Sequence, residues 1–200
     1  VIGSGQIGPD IALYFSKVFA PAGVPVVVVD VAEDALTRGR EKITKKLAKG
    51  VESGAFTAAQ QKQMLSPLQF TTDYHRLVDA DLIVEAATEN KELKQKIFTQ
   101  LETLCGKQTL FASNSSHLEP EAIFEKVTFK GRCMVIHYFF PAERNLVVEV
   151  VPASFTDEPE TRFAMDLYEA IGKVPIRVKS RYGYALDPMS TPGKRQRDNQ

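Results

Sequence analysis

The 200-residue sequence contains little cysteine, lacks a long apolar run and carries no net charge. Its two cysteines, Cys105 and Cys133, are too few for a disulfide framework and lack the CxxC or Cys/His spacing of a zinc site. They predict buried free thiols, a reducing compartment and no bound metal. The longest apolar runs, such as residues 26–29 and 146–151, are far shorter than the ~20 residues of a membrane span. We therefore expect an intracellular protein with no membrane span.

The charges balance, since 25 basic residues stand against 25 acidic ones. No net field attracts such a chain to nucleic acid or to an anionic membrane, so we expect any partner to be recognised locally and predict no nucleic-acid partner. The proportions of hydrophobic and charged residues are those of an ordinary globular protein. The length allows one well-packed domain, which we predict for residues 1–187.

The two ends of the chain differ from this domain. Residue 1 already lies at the end of an apolar run that enters a glycine turn, so we expect the native start to lie upstream. Residues 188–200 have no periodic apolar positions and contain mostly proline, glycine, polar and charged residues. This composition predicts a disordered or foreign tail.

Short apolar runs, several rich in β-branched residues, alternate with stretches of helical spacing. This alternation predicts an α/β fold of the Rossmann-like, doubly wound kind, in which a mostly parallel sheet carries helices on both faces. The predicted strands are residues 1–2, 24–29, 68–70, 82–86, 109–112, 133–137, 147–151 and 176–178. The predicted helices are residues 9–20, 33–50, 57–65 and 91–104. The second and third form a helical pair, with Thr57 as N-cap of the third, that either contacts substrate or is a surface hairpin.

Gly3, Gly5 and Gly8 form a GxGxxG pattern between a strand end and a helix. In a dinucleotide-binding turn the first glycine permits the tight turn, the second admits the diphosphate, and the third lets helix and strand pack closely. Asp30 ends the second strand, where a carboxylate accepts hydrogen bonds from ribose hydroxyls and repels a 2′-phosphate. The pattern predicts NAD rather than NADP, although an unrelated glycine turn and a surface aspartate would look the same. Asp10 places a negative charge near the predicted phosphate.

His137 ends an apolar strand, and Glu149 lies within the apolar run LVVEVVP. A carboxylate among valines is costly to bury unless it is paired, and an imidazole is a natural partner. A histidine held by a carboxylate is oriented and made more basic, as a general base for alcohol oxidation requires. The spacing fits such a catalytic pair, and it also fits a core histidine and an edge-strand glutamate.

The segment FASNSSH places Asn114, Ser115 and Ser116 after another strand, at the edge where open α/β sheets bind ligands. Either serine can also cap a helix, which does not exclude a contact to substrate. His75 and His117 have no partner at ligand spacing, so we interpret them as surface or cap residues.

Together these motifs resemble the L-3-hydroxyacyl-CoA dehydrogenase family, including the dehydrogenase portions of multifunctional fatty-acid oxidation proteins. The resemblance covers residues 1–187, with VIGSGQIG, DLIVEAATEN, ASNSS, HYFFP and VEVVP in the family's order and spacing. It implies NAD-dependent oxidation of the 3-hydroxyl of an acyl-CoA substrate to a ketone in fatty-acid β-oxidation. A dehydrogenase for a small hydroxy acid or sugar acid shares the glycine turn but does not account for HYFFP followed by VEVVP.

The resemblance also implies residue roles. The family's catalytic histidine falls on His137, its paired glutamate on Glu149, and the serine that contacts the substrate oxygen on Ser116, with Asn114 as a further substrate contact. The implied cofactor contacts are Gly3, Gly5, Gly8, Asp30, Glu89 and Lys94.

Family members carry an all-helical C-terminal domain that forms dimers and closes over the acyl chain, and this sequence does not include it. The resemblance therefore implies a monomeric or weakly associated chain, whose full-length form is a homodimer or part of a multifunctional complex. Where the family reads PGFIVNR, this chain reads RYGYALDP, with Asp187 at the asparagine position and Pro188 after it, and Asp10 replaces a common glycine. Asp187 and the missing helical domain favour a second hypothesis, a non-catalytic dinucleotide-binding protein, whereas His137, Glu149 and Ser116 favour the dehydrogenase. Mitochondrial matrix, peroxisome and bacterial cytoplasm fit equally well.

Overall fold

The computed structural model describes residues 1–181, in which strands and helices alternate along the chain. The strands are β1 Val26–Val29, β2 Leu68–Thr71, β3 Leu82–Glu85, β4 Leu110–Ser113, β5 Cys133–Tyr138, β6 Val147–Pro152 and β7 Val174–Arg177. The α-helices are α1 Gly8–Phe19, α2 Glu33–Glu52, α3 Ala58–Leu65, α4 Lys91–Leu104, α5 Pro120–Ile123 and α6 Glu158–Ala170. Asp187, Pro188 and the predicted tail lie outside the described residues.

The strands form a mostly parallel sheet. β1 pairs with β2, and β3 to β7 lie side by side in chain order. Ile2 joins the two groups, because it bridges Val29 on one side and Glu85 on the other. Among the described strands only β5 and β6 pair in antiparallel orientation. This arrangement confirms the predicted Rossmann-like α/β fold.

Alternate strand residues point to opposite faces of a sheet, and here each face packs on its own set of helices. Val28 and Ile136 belong to a buried cluster with residues of α1, α2 and α6. Their neighbours Val29 and Val135 belong to a second cluster with residues of α4 and α5. Helices therefore cover both faces of the sheet, and only the ends of the strands stay accessible to a ligand.

The predicted helical pair is present as α2 and α3. Thr57 caps α3 as predicted, since its hydroxyl accepts the Gln60 N–H at 3.2 Å while the Gln60 side chain accepts the Thr57 N–H at 2.8 Å. α2 packs directly against the glycine turn, because a Cβ added at Gly39 would lie 2.1 Å from the Ser4 hydroxyl oxygen. A contact between this pair and substrate stays a prediction.

Two strands begin two residues away from the predicted start, whereas the other ends of β1 to β7 differ by at most one residue. The strand predicted at residues 24–29 begins at Val26, because Pro25 before it has no N–H to donate. The strand predicted at residues 176–178 begins at Val174, whose N–H donates to the Leu146 carbonyl oxygen at 2.8 Å, and ends at Arg177.

Both cysteines are free thiols, but only Cys133 is fully buried. The prediction of two buried thiols is wrong for Cys105, which follows α4 and is only partly buried. Burial raises the pKa of the Cys133 thiol to about 12, so it is unreactive at neutral pH. Within residues 1–181 no helix is long and apolar enough to cross a membrane. The same residues contain no group of three His, Cys, Asp or Glu side chains that could hold a metal.

Candidate functional site

The predicted site residues meet at one edge of the sheet, where the parallel strands end. Asp30 follows β1, Glu89 follows β3, Ser116 follows β4, and His137 is the penultimate residue of β5. The glycine turn follows Ile2, which runs parallel to β1 and β3. The carboxyl edge is where open α/β sheets bind ligands.

The glycine turn is tightly packed on its inner side and open on its outer side. Gly3 has a φ of 96°, and a Cβ added there would lie 2.7 Å from the Ala86 carbonyl oxygen. A Cβ added at Gly8 would lie 1.9 Å from the Gly3 carbonyl oxygen. At Gly5 the direction of a Cβ is open, with no atom within 4 Å. This geometry fits a diphosphate that approaches the backbone at Gly5 and the N-terminus of α1.

Asp30 accepts hydrogen bonds from the glycine turn and can still accept hydrogen bonds from a ligand. Its Oδ2 accepts the Ser4 N–H at 2.7 Å, and its Oδ1 accepts the Ala32 N–H at 3.0 Å. A carboxylate offers about four lone-pair positions, so these two bonds leave acceptor capacity for ribose hydroxyls. The half-buried position of Asp30 thus fits the role that its place after β1 predicts.

Asp10 is buried in the first turn of α1, and two cations from α2 offset its charge. The ammonium groups of Lys42 and Lys46 lie 2.9 and 2.8 Å from Asp10 Oδ1. Lys46 also contacts Glu143, at 2.5 Å. The negative charge near the diphosphate position is therefore compensated by neighbouring ammonium groups, which the local sequence around Asp10 does not indicate.

His137 and Glu149 are direct partners in the antiparallel pair of β5 and β6, so their side chains share one face. The His137 Nδ1 lies 2.9 Å from Glu149 Oε2, which confirms the predicted contact between the two side chains. The residues are 5% and 0% exposed. Because Nδ1 contacts the carboxylate, proton transfer with a ligand would use Nε2. The Phe139 ring lies beside the imidazole, with 4.7 Å between centroids.

Glu89 organises the serine segment. Its Oε1 accepts the N–H groups of Ser116 and His117 at 3.1 and 3.3 Å and contacts the Ser115 hydroxyl. Burial raises the pKa of Glu89, but the bonds from Ser115 and His117 and the charge of Lys94 outweigh it, so the pKa is lowered and Glu89 is charged at neutral pH. The Ser115 hydroxyl oxygen accepts the N–H groups of His117 and Leu118, which lie in bends before α5. The N-cap of α5 is Glu119, so the predicted helix capping by Ser115 or Ser116 is wrong.

Asn114 ties the serine segment to the strand that carries His137. Its Oδ1 accepts the Tyr138 N–H at 2.8 Å, and its own N–H donates to the Glu85 carbonyl oxygen at 2.7 Å. The carbonyl side of this amide therefore has a positioning role. A substrate contact through the NH₂ group stays a prediction.

A buried ion pair, which was not predicted, lies beneath these residues. Glu85 is 0% and Lys94 is 1% exposed, and the Lys94 ammonium lies 2.8 and 3.0 Å from the two carboxylate oxygens of Glu85. Ser113 donates to Glu85 Oε2 at 2.6 Å, and Lys94 also lies 3.3 Å from Glu89 Oε2. In this structure Lys94 acts on the site through the two carboxylates, while a direct cofactor contact stays a prediction. The strand-like run LIVE gives no sign that Glu85 is paired.

A glycine turn before a helix, an acidic residue after the next strand and a polar carboxyl edge define a Rossmann-like dinucleotide-binding domain. The sequence profile of the family described as "3-hydroxyacyl-CoA dehydrogenase, NAD binding domain" matches residues 1–181. The chain belongs to this family of oxidoreductases, and membership implies NAD(H) as the cofactor.

Named relatives agree with this assignment. The 3-hydroxyadipyl-CoA dehydrogenase of Escherichia coli (strain K12) is 35% identical over 96% of this chain, which spans 40% of that protein. The fatty acid oxidation complex subunit alpha of Shewanella loihica is 34% identical over 94% of the chain, which spans 26% of that protein. The crystal structure of M. tuberculosis FadB2 matches with a TM-score of 0.89 at 29% identity, covering 94% of this chain and 65% of that one. The chain thus spans less than half of the first two proteins.

Proposed function

We propose that this chain provides the NAD-binding and proton-transferring part of an L-3-hydroxyacyl-CoA dehydrogenase, which oxidises the 3-hydroxyl of an acyl-CoA to a ketone in fatty-acid β-oxidation. The observation that carries the proposal is the 2.9 Å contact between His137 and Glu149 at the sheet edge that also holds the glycine turn. Relatives named 3-hydroxyadipyl-CoA dehydrogenase and 3-hydroxybutyryl-CoA dehydrogenase support acyl-CoA as the substrate class.

Each residue has a distinct part in this reaction. NAD, when bound, supplies the hydride acceptor. The Nε2 of His137 takes the hydroxyl proton, while Glu149 accepts the Nδ1–H and stabilises the imidazolium that forms. The Ser116 hydroxyl donates a hydrogen bond to the reacting oxygen. The backbone at Gly5 would bind the diphosphate of NAD, and the Asp30 carboxylate would accept hydrogen bonds from its ribose hydroxyls.

The function is tested by NADH formation from NAD and 3-hydroxybutyryl-CoA. The assay uses this chain alone and the same chain extended by the helical C-terminal domain of a family member. We expect NADH from the extended chain, since that domain closes over the acyl chain in the resembled family. An extended chain that folds and binds NADH but produces none would support the alternative, a non-catalytic dinucleotide-binding protein.

We predict that the chain binds NADH more tightly than NADPH, because the Asp30 carboxylate repels a 2′-phosphate. Replacing Asp30 with alanine should reduce the difference between the affinities for NADH and NADPH. Calorimetry with both cofactors measures the two affinities. Asp34→Ala is the matched control, because Asp34 is an exposed aspartate whose side chain pairs with Arg38. Equal or tighter binding of NADPH by the unmodified chain would contradict the prediction.

The proposal also covers assembly. We expect this chain by itself to be monomeric or weakly associated, since the helical domain forms the dimers of the resembled family. The full-length form would be a homodimer or part of a multifunctional complex within the cell. Sedimentation measures the state of the chain, and a stable dimer at micromolar concentration would show that the sheet domain has an interface of its own.

A further inference from the structure

Lys173, between α6 and β7, is a buried cation with no part in the site described above. It is 3% exposed, and burying an ammonium is costly unless it is paired. Its Nζ donates to the carbonyl oxygens of Ala142 and Asn145, both at 2.6 Å. It also lies 3.7 Å from the ring centroid of Tyr14, which belongs to α1.

Both carbonyl groups belong to the connection between β5 and β6, residues 139–146. The register of these strands begins with Tyr138 opposite Val148, and the next pair is His137 opposite Glu149. The connection that Lys173 holds is therefore the one that closes the hairpin carrying the buried imidazole and carboxylate. The neighbouring Val174 N–H adds a bond to the carbonyl of the last residue of this connection, at 2.8 Å.

The surroundings of Lys173 favour a fixed, charged side chain. Aromatic faces attract cations, and the Tyr138 ring lies 5.8 Å away in addition to Tyr14. The Tyr14 hydroxyl donates to the Ile171 carbonyl oxygen at 2.6 Å, which fixes the ring. Burial lowers the pKa of Lys173 to about 8, and the charge of Glu143 opposes this effect, so the ammonium is largely protonated at neutral pH.

We propose that Lys173 is a positioning residue that holds the β5–β6 connection in place and thereby maintains the contact between His137 and Glu149. Hydrogen bonds from a charged donor are stronger than neutral ones, and two of them fix the connection to the α6–β7 turn. The effect on turnover rests on the proposed function, whereas the effect on the His137–Glu149 contact does not.

Lys173→Met tests the proposal, because methionine keeps much of the apolar stem and removes the ammonium. The first readout is the NMR signal of the His137 Nδ1–H, assigned by its loss in His137→Gln. We expect this proton to exchange faster with water in the variant, while calorimetry shows unchanged NADH affinity. In the extended chain, kcat should fall by about tenfold to a hundredfold at unchanged KM, the size of loss that a misplacement of about 1 Å causes.

Three further variants separate positioning from general damage. Lys179→Met makes the same change at an exposed lysine after β7 and should alter none of the readouts. Lys173→Arg restores the charge and should recover the Nδ1–H signal. If circular dichroism shows that Lys173→Met does not fold, Lys173→Gln, which retains two N–H donors, replaces it.

A folded Lys173 variant without the ammonium that keeps the slowly exchanging Nδ1–H would overturn the proposal. If His137→Gln leaves turnover intact, the proposed function fails, but the NMR comparison still decides the role of Lys173.

Discussion

Replacing His137 with alanine should lower turnover of the extended chain by about 10²–10⁴-fold, the contribution of a general acid–base group. In the proposed function the imidazole takes the hydroxyl proton, and the Glu149 Oε2 on the opposite strand lies 2.9 Å from its Nδ1. NADH affinity should not change, since the proposed cofactor contacts are the glycine turn and Asp30. Steady-state rates of NADH formation, together with calorimetry of NADH binding, measure the two quantities separately.

Two further variants sharpen this test. Glu149→Gln keeps the size of the side chain but removes the charge that stabilises the imidazolium, so it should also lower kcat rather than cofactor affinity. His75→Ala is the control, because it removes an exposed histidine that is distant in sequence from both residues, and it should leave the rate unchanged. An active His137→Ala variant would end the assignment of His137 as the base.

Replacing Lys94 with methionine should lower the free energy of unfolding by about 3–5 kcal/mol, because it leaves the Glu85 carboxylate buried without a counter-charge. Both side chains are almost fully buried, and the ammonium contacts both oxygens of Glu85. Urea unfolding measures the loss.

The double variant Glu85→Gln/Lys94→Met should regain much of this stability, because it removes the unpaired charge as well. Arg177→Met is the matched control, since it breaks an exposed ion pair with Glu158 and should change stability little. A loss in Lys94→Met no larger than in Arg177→Met would show that Glu85 is stabilised by its other bonds.

The mostly parallel sheet with helices on both faces could be predicted from the sequence because the signals are local. A strand buried on both faces is a short apolar run, and α1 to α4 each have an apolar spacing of their own, so these elements are marked where they lie. α5 and α6 were not predicted. The ends of elements depend on neighbours that are distant in sequence. The last strand begins at Val174 because Leu146 offers a carbonyl there, and nothing near Val174 indicates this.

The site divides in the same way. The glycine turn and the His137–Glu149 pair could be predicted, because each depends on a motif or on two adjacent strands. The compensation of Asp10 depends on packing between α1 and α2, and Lys46 follows Asp10 by 36 residues. The positioning role proposed for Lys173 is likewise visible only in the structure, where its ammonium contacts two carbonyl groups of the β5–β6 connection. A lysine in a sequence usually indicates an exposed position, so the sequence alone does not indicate that Lys173 is buried.

The antiparallel pairing of β5 and β6 also bears on how the site assembles during folding. His137 and Glu149 are 12 residues apart, whereas the bond from Ser4 to Asp30 joins residues 26 apart and that from Tyr14 to Ile171 joins residues 157 apart. Closing a short loop costs less conformational entropy than closing a long one, and local contacts form faster. The hairpin of β5 and β6 thus brings the imidazole and its carboxylate together through a local contact. The glycine turn is completed only when Ser4 and Asp30, which are farther apart in sequence, come together.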